Sequence, residues 1–151
     1  KSGVYQVVYS IKNSDGITAN AKRKVVVLDL NSAVEGFYLV QADSYRLRQG
    51  AQVAYGSPFE VLVIDNGDGT YSVDDLLGGW YCQRAGYGTN YAMEATIIIG
   101  EDGLITVPYN YVPGWGDKLD DFTGTYDFAT NTFQMDVLYA DMNFVQTWVK
   151  E

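Results

Sequence analysis

The sequence contains no histidine among its 151 residues. It therefore has no imidazole to activate a serine or cysteine nucleophile, and the usual His-based zinc sites are excluded as well. Cysteine is nearly absent: Cys82 stands alone, so no internal disulfide can form. The chain is long enough to bury a core, and we expect its stability to rest on that core.

Basic residues and long apolar runs are also scarce. Ten Lys and Arg face 19 Asp and Glu, which gives a formal net charge of −9. Nucleic acid is not expected as a partner, because phosphate binding needs clustered basic side chains. The longest aliphatic runs, 25–28 and 97–99, are far shorter than the roughly 18 residues that span a bilayer. We expect any targeting signal or lipid anchor to lie upstream of Lys1.

Charge divides the chain into two predicted units. Residues 1–30 hold five basic and two acidic side chains (+3), and the remainder holds five basic and 17 acidic ones (−12). The first unit reads as a β-hairpin around the turn 13–16. Its apolar side chains alternate at Tyr5, Val7, Tyr9 and Ile11, and again at Ile17, Ala19, Ala21, Val25 and Val27. A lone hairpin is marginal in water, so we expect it to pair with the rest of this chain, an upstream domain or a second copy.

Residues 36–151 are predicted to form an antiparallel β-sandwich or flattened barrel. Short alternating runs recur between turn-forming residues at the spacing typical of such all-β folds. The run 59–64 is apolar apart from Glu60, which predicts a strand buried on both faces. After Tyr139 the alternation shifts by one residue, which requires a bulge or a turn. No helix of ordinary length is predicted.

Two parts of the sequence resemble known modules. Residues 3–28 resemble the last two strands of a bacterial Ig-like domain, through Gly3, Tyr5, Val7, Tyr9, Asn13, Asp15-Gly16, Arg23, Val25 and Val27. The remainder resembles the C-terminal β domain that follows such a module in a family of Bacteroidetes lipoproteins without an assigned activity. The residues that carry this likeness are Gly36-Phe37-Tyr38, Asn66-Gly67-Asp68-Gly69-Thr70-Tyr71, Leu76-Leu77-Gly78-Gly79-Trp80-Tyr81, and Gly86-Tyr87-Gly88 followed by Tyr91-Ala92-Met93.

The resemblance implies an extracytoplasmic protein, held at the cell surface or outer membrane by a lipid anchor outside this sequence. It implies an association with polysaccharide-utilisation systems, and it supplies no catalytic residues and no cofactor. A whole Ig-like domain needs about seven strands, of which two are visible here.

Aromatic residues make up 15% of the chain, and two clusters of them lie in Gly-rich segments. The first segment holds Trp80, Tyr81, Tyr87 and Tyr91, and the second holds Tyr109, Tyr111 and Trp115. Flat rings suit the C–H faces of sugars, and loops on a rigid sheet often carry binding sites. These seven residues are therefore candidate glycan-binding residues. Trp115 and Tyr111 are preferred because Pro-Gly-Trp-Gly predicts an exposed loop. The alternative is that the rings close the ends of a β core.

Other polar groups have plainer interpretations. Acidic residues cluster at 65–75 and 117–121, but neither cluster predicts a metal site, and the first lacks EF-hand spacing. Glu94 becomes a candidate acid only if its strand face lines a cavity. Arg84 can hold an anion or pair with an aspartate. Cys82 is predicted to be a small buried hydrophobe, since no histidine can activate it.

Three functional interpretations remain at this point. The first is a non-catalytic surface module that binds a polysaccharide or oligosaccharide through the loop aromatics. The second is a structural spacer without a ligand of its own. A glycan-active enzyme ranks third, because the sequence shows no catalytic constellation, and no cofactor is expected.

Overall fold

The computed structural model describes residues 1–29 and 31–151. Leu30, the last residue of the predicted hairpin unit, lies outside this description. The predicted all-β class is confirmed. Within the described residues twelve strands form: β1 (Gly3–Lys12), β2 (Thr18–Val27), β3 (Gly36–Val40), β4 (Tyr45–Arg48), β5 (Ala51–Ala54), β6 (Phe59–Asp65), β7 (Tyr71–Val73), β8 (Glu94–Ile99), β9 (Ile105–Tyr111), β10 (Asp121–Asp127), β11 (Thr132–Tyr139) and β12 (Met142–Lys150).

In residues 1–29 and 31–151, helical structure is confined to two short elements between β7 and β8. They are a π-helix at Trp80–Arg84 and a 3-10 helix at Thr89–Tyr91. In the described part of the chain no helix has the length and apolar character needed to cross a bilayer.

Strands β1 and β2 form a two-stranded sheet of their own. Their turn is held by the Asn13 side chain, whose Oδ1 accepts hydrogen bonds from the backbone N–H of Asp15 (3.1 Å) and of Ile17 (2.8 Å). Tyr9 and Ile11 on the apolar face are 56% and 72% exposed. The described residues of this chain leave that face uncovered, and an upstream domain or a second copy stays the predicted partner.

The remaining strands form one antiparallel sheet in the order β10-β11-β12-β3-β6-β7-β8-β9, with β5 joined to it through β4. Strand β12 is an interior strand of this sheet and pairs with β11, with β3 and with β4. The sheet curls into a half-barrel, closer to the predicted flattened barrel than to a sandwich. Its two ends approach each other where the Tyr126 N–H donates to the Gly103 carbonyl at 2.8 Å.

Two local sequence features are explained by the structure. In β6, Val61 and Val63 are fully buried on one face and Leu62 and Ile64 are 3% and 8% exposed on the other, so burial on both faces is confirmed. After Tyr139, Ala140 and Asp141 adopt positive φ values of 52° and 59°. These residues form a tight turn, and the turn accounts for the shift in alternation.

A buried amide joins the core to the chain that follows β7. Gln146 of β12 is 2% exposed, its Nε2 donates to the Leu76 carbonyl at 3.1 Å, and its Oε1 accepts from the Trp148 indole at 2.9 Å. A Cβ at Gly78 would collide with that same Oε1, and Gly78 has a φ of +60°. Glycine is thus needed at 78 for both space and backbone conformation.

We predict that Gln146→Leu lowers the free energy of unfolding by about 2–4 kcal/mol, because it leaves a buried carbonyl and a buried indole N–H without partners. Urea unfolding followed by tryptophan fluorescence measures this loss. The matched control is Gln134→Leu at an exposed position of β11, which should change the free energy of unfolding by less than about 0.5 kcal/mol. Equal stabilities for the two variants would contradict this assignment.

Candidate functional site

One carboxylate organises the segment between β7 and β8. Asp75 is 2% exposed and accepts four hydrogen bonds, each 3.0 Å long. Its Oδ1 accepts from the backbone N–H groups of Leu77 and Met93, and its Oδ2 accepts from the N–H of Gly79 and the thiol of Cys82. This single side chain therefore joins the turn after β7, the π-helix and the chain leading into β8.

Burial controls the protonation of Asp75 and of its neighbour Cys82. Loss of hydration raises the pKa of Asp75 to about 6, because its four donors offset only part of the cost of burying the charge. Burial, followed by the Asp75 carboxylate, raises the pKa of the Cys82 thiol far above its usual value. Cys82 is a half-buried thiol that donates a hydrogen bond to Asp75, so it differs from the buried hydrophobe that the sequence predicts.

The π-helix sends two consecutive aromatic residues in different directions. Its wide turn is closed by hydrogen bonds from Arg84 N–H to the Gly79 carbonyl (2.8 Å) and from Ala85 N–H to the Trp80 carbonyl (3.0 Å). Trp80 enters the core and is 4% exposed, whereas Tyr81 remains half-buried at the surface.

Four rings from the two predicted segments meet at the surface, and we call Tyr81, Tyr87, Tyr91 and Trp115 the aromatic cup. The Trp115 ring centroid lies 4.7 Å from that of Tyr81 and 4.8 Å from that of Tyr91, and the Tyr87 and Tyr91 centroids are 5.5 Å apart. Tyr87, Tyr91 and Trp115 line a cavity of about 330 Å³. Tyr87 is 56% exposed and Trp115 is 40% exposed, so both rings are accessible to a ligand.

The cup has angled walls instead of a flat platform. The Trp115 ring stands at 84° to Tyr81 and at 86° to Tyr87, whereas Tyr81 and Tyr87 are nearly parallel at 18°. Perpendicular pairs of this kind hold each other in place through edge-to-face contact.

A glycine contact docks the Trp115 loop onto the 3-10 helix. The Gly114 N–H donates to the Asn90 carbonyl at 2.6 Å, and a Cβ at Gly114 would lie only 2.6 Å from the Tyr91 ring. At the base of the loop, the Val112 N–H donates to the Asp117 carbonyl at 2.9 Å. Any residue larger than glycine at 114 would push the two aromatic segments apart.

Tyr139 backs the cup, although the sequence marks it only as an inward residue of β11. Its ring lies 6.4 Å from Trp115 at an angle of 29°, and its hydroxyl donates to an Asp117 oxygen at 3.3 Å. Burial, followed by the carboxylates of Asp117 and Asp120, raises the pKa of Tyr139 well above its usual value. The neutral hydroxyl fixes the lower edge of the Trp115 loop.

The other three sequence candidates lie outside the cup. Trp80 is in the core beneath it, and Tyr111 is half-buried at the base of the Trp115 loop, with its hydroxyl 3.7 Å from the position of a Cβ at Gly116. Tyr109 is 49% exposed and lines a different cavity. The ligand roles of all seven aromatic candidates stay predictions.

That second cavity is a groove of about 690 Å³ between the hairpin and the main sheet. Val4 and Lys24 line it from the hairpin, and Glu60, Asp74 and Glu94 from the main sheet. Glu94 thus meets the condition for a candidate acid that the sequence set. Within the described residues, no group of three or more Cys, Asp or Glu side chains is arranged to hold a metal ion.

Arg84 contacts a ring and a backbone carbonyl. Its Nε donates to the Tyr55 carbonyl at 3.0 Å, and its guanidinium carbon lies 4.3 Å from the Trp80 ring centroid. Trp80 in turn packs edge-on against Tyr55, with the ring centroids 4.9 Å apart.

Comparisons with known proteins show which family this chain belongs to and which solved structure it resembles. A protein-family model described as a "-like, C-terminal domain" matches residues 27–150. The chain belongs to this family. Its structure is also similar to the crystal structure of the lipoprotein BT2262 from Bacteroides thetaiotaomicron, with a TM-score of 0.81 and 37% sequence identity over 99% of this chain and 76% of that chain. No curated protein matches the sequence.

These matches confirm the resemblance to a Bacteroidetes lipoprotein family. They support an extracytoplasmic, membrane-anchored protein. The family model begins at residue 27, at the end of β2, and therefore covers the curled sheet and the whole aromatic cup.

We predict that ionisation of Asp75 makes stability fall as the pH rises from about 4 to about 6. The folded-state pKa of about 6 exceeds the ordinary value of 3.8, so the folded chain retains a proton that the unfolded chain releases. The loss amounts to about 3 kcal/mol by linkage. Urea unfolding at several pH values measures it, and Asp75→Asn should remove the fall because the amide does not ionise.

The control for this experiment is Asp127→Asn at the exposed end of β10. The pKa of Asp127 is lowered by hydrogen bonds from Thr130 and Ala129, so its contribution to stability runs in the opposite direction with pH. This variant should keep the fall between pH 4 and pH 6. Parallel pH profiles for the wild-type protein and Asp75→Asn would show that Asp75 does not titrate as described.

Proposed function

We propose that this chain is a non-catalytic module of a cell-surface lipoprotein and that it binds glycan in the aromatic cup. The observation that carries this proposal is the convergence of Tyr87, Tyr91 and Trp115 around one accessible cavity, with Tyr81 packed against Trp115. The four residues come from two segments that are separated by strands β8 and β9. Their meeting is therefore a property of the fold.

The dimensions of the cup suit a short stretch of saccharide. A cavity of about 330 Å³ is at the lower end of the range for small-ligand sites. Exposed ring faces on Tyr87 and Trp115 can cover the C–H faces of a sugar, while the tyrosine hydroxyls supply hydrogen-bond donors. The support of the cup by Asp75, Gly114 and Tyr139 favours a preformed site, which lowers the entropy cost of binding.

The lining of the cavity favours binding over catalysis. Glycoside hydrolysis uses two carboxyl groups across the scissile bond. The residues that line the cup cavity in the described structure are Tyr87, Tyr91 and Trp115, and none is acidic. Membership of a lipoprotein family supports placement at the cell surface, where polysaccharide is encountered.

We predict that native gels containing polysaccharide retard the wild-type protein and that Trp115→Ala and Tyr87→Ala each raise the Kd at least about tenfold. A tenfold change equals about 1.4 kcal/mol, within the range of losing one stacked ring. A panel of plant, fungal and host glycans identifies the retarding polymer. Thermal unfolding of each variant checks that the sheet remains folded.

Tyr109→Ala provides the matched control, because Tyr109 is an exposed tyrosine outside the cup. It should leave retardation unchanged. Binding that survives Trp115→Ala but is lost in Tyr109→Ala would move the site to the groove beneath the hairpin. The absence of retardation by every glycan would favour the spacer interpretation instead.

A further inference from the structure

We propose that the glycan bound by the aromatic cup is anionic and that Arg46, Arg48 and Arg84 hold its carboxylate or sulfate groups. This inference rests on the proposed function of the cup and adds the chemical class of the ligand. Its basis is the concentration of positive charge beside the cup in a protein of net charge −9.

The distribution of basic residues is uneven. Five of the ten Lys and Arg residues follow residue 30, and three of these five are Arg46, Arg48 and Arg84. All three are arginines, whose planar fork matches the two oxygens of a carboxylate or sulfate better than a lysine ammonium does.

Strand pairing places two of the arginines next to the cup. Arg46 of β4 lies opposite Phe144 of β12, and the Phe144 ring centroid is 6.0 Å from that of Tyr81. Arg48 is two residues further along β4, on the same face of that strand. Burial raises the pKa of Tyr81, and the positive charges of Arg46 and Arg48 oppose that rise, as expected for groups near its hydroxyl.

Trp80 joins the third arginine to the first. The guanidinium carbons of Arg84 and Arg46 lie 4.3 Å and 5.1 Å from the Trp80 ring centroid. Trp80 is 4% exposed and is followed directly by Tyr81, so the two cations are held against a buried ring beneath the cup. Stacking of this kind orients a guanidinium without neutralising it.

These arginines retain the capacity to bind an anion. Among the described residues, none of the three donates a hydrogen bond to a carboxylate, and Arg48 and Arg84 are exposed. Asp117 and Asp120 lie on the Tyr139 side of the cup and already accept hydrogen bonds, from the Tyr139 hydroxyl and from the Ala140 N–H. The cup therefore has a basic side and an acidic side.

The test uses two pairs of polymers that share a backbone and differ in charge. Polygalacturonate is compared with its methyl ester, and dextran sulfate with dextran, by affinity electrophoresis of the intact chain. We expect at least one charged polymer to bind about tenfold more tightly than its neutral partner. Raising NaCl from about 50 to about 500 mM should weaken that binding, because salt screens exposed charges. The two pairs also distinguish carboxylate from sulfate.

The double variant Arg48→Gln/Arg84→Gln should abolish the preference for the charged polymer. Its control is Lys12→Gln/Lys22→Gln on the exposed hairpin, which changes the net charge by the same amount. The control should keep the preference, since non-specific attraction to a polyanion depends on net charge whereas a site depends on position.

The outcomes separate this inference from the proposed function. Equal binding of charged and neutral polymers, with loss in Trp115→Ala, would overturn the anionic assignment and leave the cup as a site for neutral glycan. A charge preference that persists in the arginine variant, or is lost in the lysine control, would also overturn it. Failure to bind any polymer in this set or in the wider panel would overturn both proposals.

Discussion

The architecture of the candidate site depends on the buried carboxylate of Asp75. Four donors from the turn, the π-helix and the approach to β8 converge on its two oxygens. Each backbone N–H that donates to Asp75 belongs to an irregular segment, where strand pairing does not supply a hydrogen-bond acceptor. These four hydrogen bonds offset part of the cost of burying the charge, and they fix the chain on either side of Tyr81 and Tyr91. A residue that touches no ligand thus sets the geometry of the surface.

The cup and the arginines beside it are two products of one packing arrangement. Trp80 lies underneath, with Arg46 and Arg84 against its ring, and Tyr81 follows it at the surface. The buried ring of Trp80 therefore positions both the aromatic side chain of Tyr81 and the guanidinium groups of the two arginines. The five basic residues after residue 30 include Arg46, Arg48 and Arg84, and the other five lie on the exposed hairpin.

Much of the sheet could be predicted from the sequence, because alternation with a period of two directly reports which side chains face the core. The two-sided burial of β6 and the turn after Tyr139 were readable for that reason. The meeting of Trp115 with Tyr91 was not, since it depends on a long-range contact at Gly114 that leaves no periodic signal. Trp80 is buried and Tyr81 is at the surface because both lie in the π-helix, which short-range sequence patterns do not predict. The proximity of Arg46 to Tyr81 could not be predicted either, because it depends on the register in which β4 pairs with β12.

The order of strands has a consequence for how the polypeptide matures. The last strand, β12, lies inside the sheet and joins β11 to β3 and β4. Trp148 pairs with Val40, a contact that closes more than a hundred residues of chain. Until β12 arrives, β3 and β11 expose unpaired edges, and such distant pairings form slowly. The sheet can therefore close only once the last strand of the chain is available to pair with both neighbours.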